Sequence, residues 1–362
     1  LKSPYRGEYW LEISPDLTTN DKSKLPQGKG GDGNIQYCTI TTVDESPLIE
    51  GLLWVGTDDG LVWVTLDGGR NWKRVNDNIK GNPGYWVSRV VASNFDPGTA
   101  YVTFTGYRHD DFRPFIYRTT DYGETWLSIT GDLPEGPVNV IREDHRNPEL
   151  LFAGTDFGVY ISPNGGRNWF KLQGNMPTQP VHDLQLHPRE NDLIVATHGR
   201  GIFIADISAF QELNQEILSR EIHLFNLEPK IRWTNRGSSH SSSLNYDGES
   251  EPEAVVINYY LKRKPAGEVK VKIYSGNLLI SELKAQGRPG LNKILWNMTA
   301  RRERTAEEKN QLQQMVSRMA EAGLRTPVDL NYVYYPVKEG TYRVVLEVDG
   351  KSVSGLARIL PD

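Results

Sequence analysis

Cysteine is almost missing: Cys38 is the one thiol in 362 residues. A lone cysteine excludes an intrachain disulfide, and its place in an apolar, strand-like run reads as a buried, inert side chain. No apolar run approaches the roughly 20 residues that a membrane helix requires, so no membrane span is expected. A leader pattern is absent too, and the first residue is Leu1 rather than Met. Upstream sequence is therefore expected to have been removed or to belong to another polypeptide. There is no block of Lys and Arg, and the net charge is −5, so nucleic acid is not an expected partner. The Gly28–Gly33 stretch lacks the Lys-Ser/Thr of a phosphate loop. No Cys/His cluster suggests zinc, and no Ser-His-Asp arrangement can be read. His182 and His187, five residues apart on a strand, do not share a face.

Aromatics are plentiful, with 9 Trp, 17 Tyr and 10 Phe, as expected where sheets pack on sheets. They fall in a repeated pattern, Ser/Thr-x-Asp-x-Gly-x-x-Trp. Its best copies are Thr65–Trp72 (Asp67, Gly69, Trp72) and Thr119–Trp126 (Asp121, Gly123, Trp126). Ser162–Trp169 carries Asn164, Gly166 and Trp169, and a degenerate copy, Ser3–Trp10, has Tyr5 where the Asp should be. An Asp or Asn side chain can accept from backbone N–H groups two residues on and close a turn. Gly allows the backbone angle the turn needs, and Trp starts the next strand as a packing wedge. Each copy is expected to be a hairpin turn, with residues 9–13 an isolated outer strand.

Around the copies lie short β-branched runs of strand type. One four-strand unit starts at Ile35, with Gln36–Val43 as its first strand; a second spans Trp86 to about Gly131, and a third Val138 to about Leu172. The fourth, residues 181–207, has three strands and no turn copy after it. Such a repeat signals propeller blades. Residues 209–250 read as a linker, with a short helix at 210–218 and a strand at 222–225. Residues 251–362 give six more short strands, and Val348-Asp-Gly-Lys351 reads as a two-residue hairpin. This pattern suggests an immunoglobulin-like sandwich. One helix, about 305–322, interrupts it; Thr305 and Glu308 form a capping box. Its stripe of Leu312, Met315, Val316 and Met319 is expected to pack in a core.

The turn pattern resembles the Asp-box of bacterial-neuraminidase-type (BNR) repeats, found in sialidases, xyloglucanase-type glycosidases and the sortilin ectodomain. The order of parts runs from Leu193–Ile204 through Ile222–Trp233 to Ile257–Leu261, Gly290–Trp296 and Glu339–Val344. It resembles the C-terminal half of the large sortilin-like repeat proteins of bacteria, whose last domain is similar to the immunoglobulin-like module of flagellar hook-capping proteins. The resemblance implies an all-β chain: β-propeller blades over 1–208, part of a larger ring, then an Ig-like β-sandwich with one helical insertion. It also implies export to an extracellular or periplasmic location. An upstream propeller segment or a second chain would complete the ring.

In such propellers the ligand face lies opposite the Asp-box turns. By that geometry it carries Asp58, Asp59, Asp156, His198 and Arg200, and the long connection Gly106–Pro114 with Arg108, His109, Asp110, Asp111 and Arg113. Dense charge on a long loop over a rigid scaffold marks a binding face. The expected function is non-catalytic binding of a protein, peptide or glycan. The alternative is a glycoside hydrolase that draws a carboxylate pair from the same acids. No cofactor or resident metal is expected; calcium is the one ion acidic loops could take up.

Overall fold

The computed structural model describes residues 1–4, 6–21, 23, 37–172, 174–199, 201–233, 252–321 and 329–362. The expectations for Tyr5, Arg200, Gly28–Gly33, Gln36, 234–250 and the end of the helix at Gly323 lie outside them. The chain forms two compact units, Leu1–Asn214 and Gln215–Asp362.

The first unit is a propeller-like series of small antiparallel sheets. Blade 1 is β1 (Ile40–Glu45), β2 (Leu53–Thr57), β3 (Val62–Thr65) and β4 (Lys73–Arg74), in that order across the sheet. Blade 2 is β5 (Trp86–Ala92), β6 (Ala100–Gly106), β7 (Asp111–Thr119) and β8 (Leu127–Ser128). Blade 3 is β9 (Val138–Glu143), β10 (Leu151–Thr155), β11 (Gly158–Ser162) and β12 (Phe170–Lys171). Blade 4 has three strands, β13 (Val181–Leu186), β14 (Asp192–Thr197) and β15 (Ile202–Asp206).

Every residue of β6, β10 and β11 is buried, because these strands have a neighbouring sheet on both faces. Trp54, Val62 and Val64 of blade 1 pack on Val87, Val90 and Phe104 of blade 2. Tyr101 and Ile116 meet Ile141 and Trp169 between blades 2 and 3, and Val140 and Phe152 meet Leu184 and Val195 between blades 3 and 4. Each such side chain contributes about 1.5–3 kcal/mol of burial.

The three better turn copies join third to fourth strands. In the first, Gly69 N–H donates to Thr65 Oγ1 at 3.0 Å and Asn71 N–H to Asp67 Oδ1 at 2.9 Å. Thr119/Asp121 and Ser162/Asn164 repeat this with Gly123 and Thr125, and with Gly166 and Asn168. The Asp or Asn thus accepts from the N–H four residues on, not two, because the Ser/Thr hydroxyl takes the glycine N–H between them. Each turn also seats on an earlier stretch of chain, Ile13 for the first and the residue just after β4 or β8 for the other two. A Cβ on Gly69 would lie 2.2 Å from Ile13 O, one on Gly123 2.8 Å from Val75 Cβ, and one on Gly166 2.7 Å from Ile129 Cβ. Trp72 and Trp169 donate Nε1–H to those same Ile13 and Ile129 carbonyls, at 2.8 and 3.1 Å. The corresponding Val75 carbonyl instead accepts from Asn78 N–H in a 3-10 turn, Asn76–Asn78, and the buried Trp126 Nε1 has no partner among the described residues.

Several local expectations change. Residues 9–13 form no strand beyond a Lys2–Leu11 bridge, and Trp10 is 60% exposed rather than wedged, since no sheet of its own flanks it among the described residues. β1 runs to Glu45 rather than ending at Val43. Cys38 precedes it in a left-handed turn (φ 68°), half-buried, with Sγ 3.6 Å from Thr19 Oγ1. The expected 210–218 helix is two pieces, α1 (Ser208–Glu212) and α2 (Gln215–Ser219), broken at extended Leu213.

In the second unit, β16 (Ile222–Leu224), β18 (Val255–Leu261) and β21 (Gly290–Trp296) form one sheet. The other orders β17 (Lys230–Ile231), β25 (Lys351–Leu360), β24 (Gly340–Val348), β19 (Val269–Ser275) and β20 (Leu278–Ala285). β16 and β17 fall in the stretch read as linker, yet they are built into these sheets. Asp349 and Gly350 take φ 47° and 79° in the two-residue hairpin, as a primed turn requires. The core joins both sheets through Ile257, Tyr259, Ile273, Trp296, Leu346 and Ile359. A separate hairpin, β22 (Thr299–Glu303) with β23 (Tyr332–Pro336), flanks α3 (Ala306–Glu321). Glu308 and Thr305 cap each other's N–H, at 2.9 and 3.3 Å. The stripe on α3 is not core: Met315 is 54% exposed and Leu312, Val316 and Met319 are half-buried.

Candidate functional site

The second-to-third strand turns of blades 1, 3 and 4 follow one local rule. The second strand ends in Thr57, Thr155 or Thr197, and that hydroxyl helps close the turn. Thr57 Oγ1 accepts Leu61 N–H at 3.0 Å, Thr155 Oγ1 donates to Gly158 O at 3.2 Å, and Thr197 Oγ1 donates to Gly201 O at 2.6 Å. The next residue's N–H reaches back to the start of its own blade: Asp58 to Thr39 O, Asp156 to Pro137 O and His198 to Pro180 O, at 3.0–3.2 Å.

Blade 2 departs from the rule. Thr105 stands at the same position, buried, and its hydroxyl has no partner among the described residues. The turn is replaced by Gly106, a 3-10 turn at Tyr107–His109 and Asp110 in the left-handed region (φ 55°). Gly106 is required there, since a Cβ would sit 2.6 Å from the Tyr85 ring. An orphaned hydroxyl and a non-glycine left-handed residue both cost stability. Where three repeats keep a rule and one breaks it, a functional demand is the usual physical cause.

The residues of this loop pack on the connection before β5. His109 stacks on Tyr85 with ring centres 4.8 Å apart and 18° between planes. The Arg108 guanidinium carbon lies 4.0 Å from the Trp86 ring centre and 4.8 Å from that of Tyr107. Arg113 binds Asp111 through two bonds, Nε to Oδ1 at 2.9 Å and Nη2 to Oδ2 at 2.7 Å. The Arg113 backbone N–H donates to Asp111 Oδ1 as well, at 3.1 Å, and Tyr85 O–H to Oδ2 at 3.2 Å. The Arg113 bonds hold the Asp111 carboxyl down at about 2. Burial, and then the Asp111 carboxylate, push the Tyr85 phenol up.

Contacts run from this loop to its neighbours. A Cβ on Gly60, in the blade 1 turn, would meet Gly84 C and O at 2.9 Å, just before Tyr85. On the other side Gly136 N–H donates to Phe112 O at 2.8 Å, and a Cβ on Gly136 would touch the Phe157 ring at 2.8 Å. Phe112 is 51% exposed, Phe157 46% and Tyr107 44%. Three large aromatics thus reach solvent from adjoining connections on one rim.

The nominated residues fall into distinct situations. Asp58 and Asp59 are buried: Asp58 Oδ1 accepts Thr39 N–H at 2.8 Å, and Asp59 accepts Thr19 N–H at 2.6 Å and the Thr57 hydroxyl. Burial raises the Asp58 pKa, opposed by the Thr39 N–H. Both carboxylates hold backbone rather than face solvent, because the N–H groups of Thr19 and Thr39 are brought onto them. Asp156 accepts Asn139 Nδ2–H at 2.9 Å. Arg108, His109 and Asp110 are exposed on the loop, and Asp110 has no side-chain partner among the described residues. His198 pairs with His182, their ring centres 5.0 Å apart, a proximity hidden from spacing because it crosses from the start of β13 to the turn after β14. Among the described residues no group of three or more His, Cys, Asp and Glu side chains is arranged to hold a metal. Tyr85, Trp86, Tyr107, Phe112 and Phe157 were not nominated; their signal was aromatic residues in or beside connections that otherwise favour small and polar ones.

No family model matches the chain, and no curated protein matches it. Solved structures similar to it include an ancestral GH74 enzyme at 15% identity and TM-score 0.39, covering 70% of this chain and 33% of that one. The GH74 xyloglucanase from Xanthomonas campestris is 11% identical at TM-score 0.37, covering 71% and 38%. An auxiliary nutrient binding protein from Bacteroides thetaiotaomicron is 12% identical at TM-score 0.38, covering 47% and 39%. The chain thus spans little more than a third of the length of these structures. Among the described residues no helix is long and apolar enough to cross a membrane.

Proposed function

We propose that the chain is a non-catalytic binding protein whose ligand site is the rim built by the 106–113 loop, the connection before β5 and the blade 3 turn. The observation that carries this reading is the break in the threonine rule at blade 2, on the loop that also exposes Tyr107 and Phe112 beside Phe157. A half-exposed aromatic surface bordered by the exposed polar side chains of Arg108 and Asp110 suits a glycan. Strand addition by a peptide at this rim is less suited, because the outer strands of the three blades that build it, β4, β8 and β12, are each two residues long and offer little edge to extend. An exported location, the sortilin-like and Asp-box affinity and an Ig-like fold for the second unit belong to the same reading, supported by the motifs and the two-sheet core. So does a partner carrying further blades, supported by the exposed sheet face of Ile202 and Ile204.

Hydrolysis is the weaker alternative. A glycosidase needs two carboxylates across one sugar, one of them able to give up a proton. Of the acids at the rim, Asp58 and Asp59 hold backbone, Asp111 is engaged by Arg113, and Asp156 accepts from Asn139. The test is a glycan and peptide binding panel with the intact chain and with Phe112→Ala/Phe157→Ala. Glycan binding that falls at least about tenfold in the variant, with no cleavage products by mass spectrometry, is the expected result. Products that disappear in Asp110→Ala/Asp111→Ala would replace binding with hydrolysis.

A further inference from the structure

Arg108 differs from the other charged groups around it. Arg113 is engaged by Asp111, and Arg89 and Arg142 by Asp183. The Arg108 side chain is exposed and touches no carboxylate or carbonyl among the described residues; its contacts are the two rings of Trp86 and Tyr107. Rings against the face of a guanidinium fix its plane and leave its N–H donors at the edge, pointing where a ligand can reach them. A planar carboxylate is the complement of that edge, since two parallel N–H···O bonds form at once. Of the two loop carboxylates, Asp111 is closed to Arg108 by its side-chain bonds to Arg113, and the exposed Asp110 forms no ion pair with Arg108 among the described residues.

We infer that the rim binds a glycan bearing carboxylates, a uronic-acid polymer in chemical class, with Arg108 reading the acid group and Phe112 and Phe157 taking the sugar faces. This rests on the binding-face reading above and adds the charge of the ligand to it. The contact is an orientation device: Trp86 and Tyr107 preset the guanidinium, so less side-chain freedom is lost on binding.

The test uses the whole chain with homopolymeric uronate oligosaccharides, the same oligosaccharides as methyl esters, a neutral glucan of matched length and a set of acidic peptides. Isothermal titration reads affinity, and a thermal melt checks that each variant is folded. The expected result is tighter binding to the acid than to its ester, by about ten- to a hundredfold, the range of one charge-assisted bidentate contact. Arg108→Ala removes that preference, so that acid and ester bind with equal affinity. Arg108→Lys recovers part of it, because a lysine keeps the charge but not the fork. Phe112→Ala/Phe157→Ala weakens acid and ester alike. Equal binding of acid and ester, or a preference that survives Arg108→Ala, overturns the carboxylate assignment and leaves the binding face standing. Binding of the acidic peptides in place of the sugars overturns it as well. No binding to any probe, or sugar binding untouched by Phe112→Ala/Phe157→Ala, overturns the face itself.

Discussion

At the scale of single residues, acidic side chains serve two opposite purposes in this molecule. Asp58 and Asp59 look, in sequence, like exposed turn acids. Their neighbours decide otherwise, because part-buried backbone N–H groups at Thr39 and Thr19 require acceptors. That capture depends on chain segments remote in sequence, so no local spacing could announce it. Glu143, at the end of β9, is the same case between blades: it is 3% exposed and accepts from Ser93 Oγ at 2.9 Å, Asn94 N–H at 2.6 Å and Tyr101 O–H at 2.8 Å. Burial raises its pKa above the ordinary 4.5, with those donors opposing. A carboxyl raised in the folded state costs nothing below its unfolded pKa, and its cost is complete above its folded pKa. Stability from this group therefore falls as pH rises from below 4.5 through the folded value. Glu143→Gln cannot titrate, and its single acceptor oxygen leaves a donor poorly matched, at about 1–3 kcal/mol. Urea unfolding should find the variant less stable than the parent at both pH 4 and pH 7, with a narrower gap at pH 7. A gap that widens with pH would contradict the raised pKa.

At the scale of elements, the short hairpins were the most legible part. The turn pattern around Asp67, Asp121 and Asn164 and the Asp349-Gly350 turn set their backbone through their own residues, so sequence alone locates them. The exact acceptor within the turn was not legible, because a hydroxyl and a carboxylate or amide oxygen two residues apart compete for the same donors. The half-exposed stripe on α3 shows the complementary failure. Its spacing tells which side of the helix is apolar, but not that anything faces that side. Within the turn, the two glycines of Asp67-Gly-Gly69 separate local strain from packing. Gly68 has φ 74° with nothing within 4 Å of an added Cβ, whereas Gly69 has φ 97° and the Ile13 carbonyl 2.2 Å away. Gly68→Ala should cost about 1 kcal/mol, the penalty of a left-handed backbone. Gly69→Ala must also displace the Ile13 backbone beneath it and should cost about 3 kcal/mol or more. Equal losses in denaturant unfolding would mean that the turn does not seat on Ile13.

At the scale of the whole molecule, stability is divided among separate cores. The blades of the first unit bury their faces pairwise, and their inner strands meet in a charge cluster where Arg89 and Arg142 share Asp183 Oδ1, at 2.9 and 3.1 Å. The second unit has one core of its own, closed by Ile257, Ile273, Trp296 and Leu346, each fully buried. A unit with a complete core should fold without the rest of the chain. Residues 215–362 expressed alone are therefore expected to unfold in one cooperative transition. Within that fragment the core and the helix should respond differently. Ile273→Ala opens a cavity between two sheets and should cost about 3–4 kcal/mol. Leu312→Ser, on the half-exposed stripe of α3, removes no core contact and should cost less than about 1 kcal/mol, most of it helix propensity. The midpoint of urea unfolding for the two variants decides the matter. A Leu312→Ser loss as large as that of Ile273→Ala would place the helix in the core after all, and a fragment that unfolds gradually would show that the core needs support from outside residues 215–362.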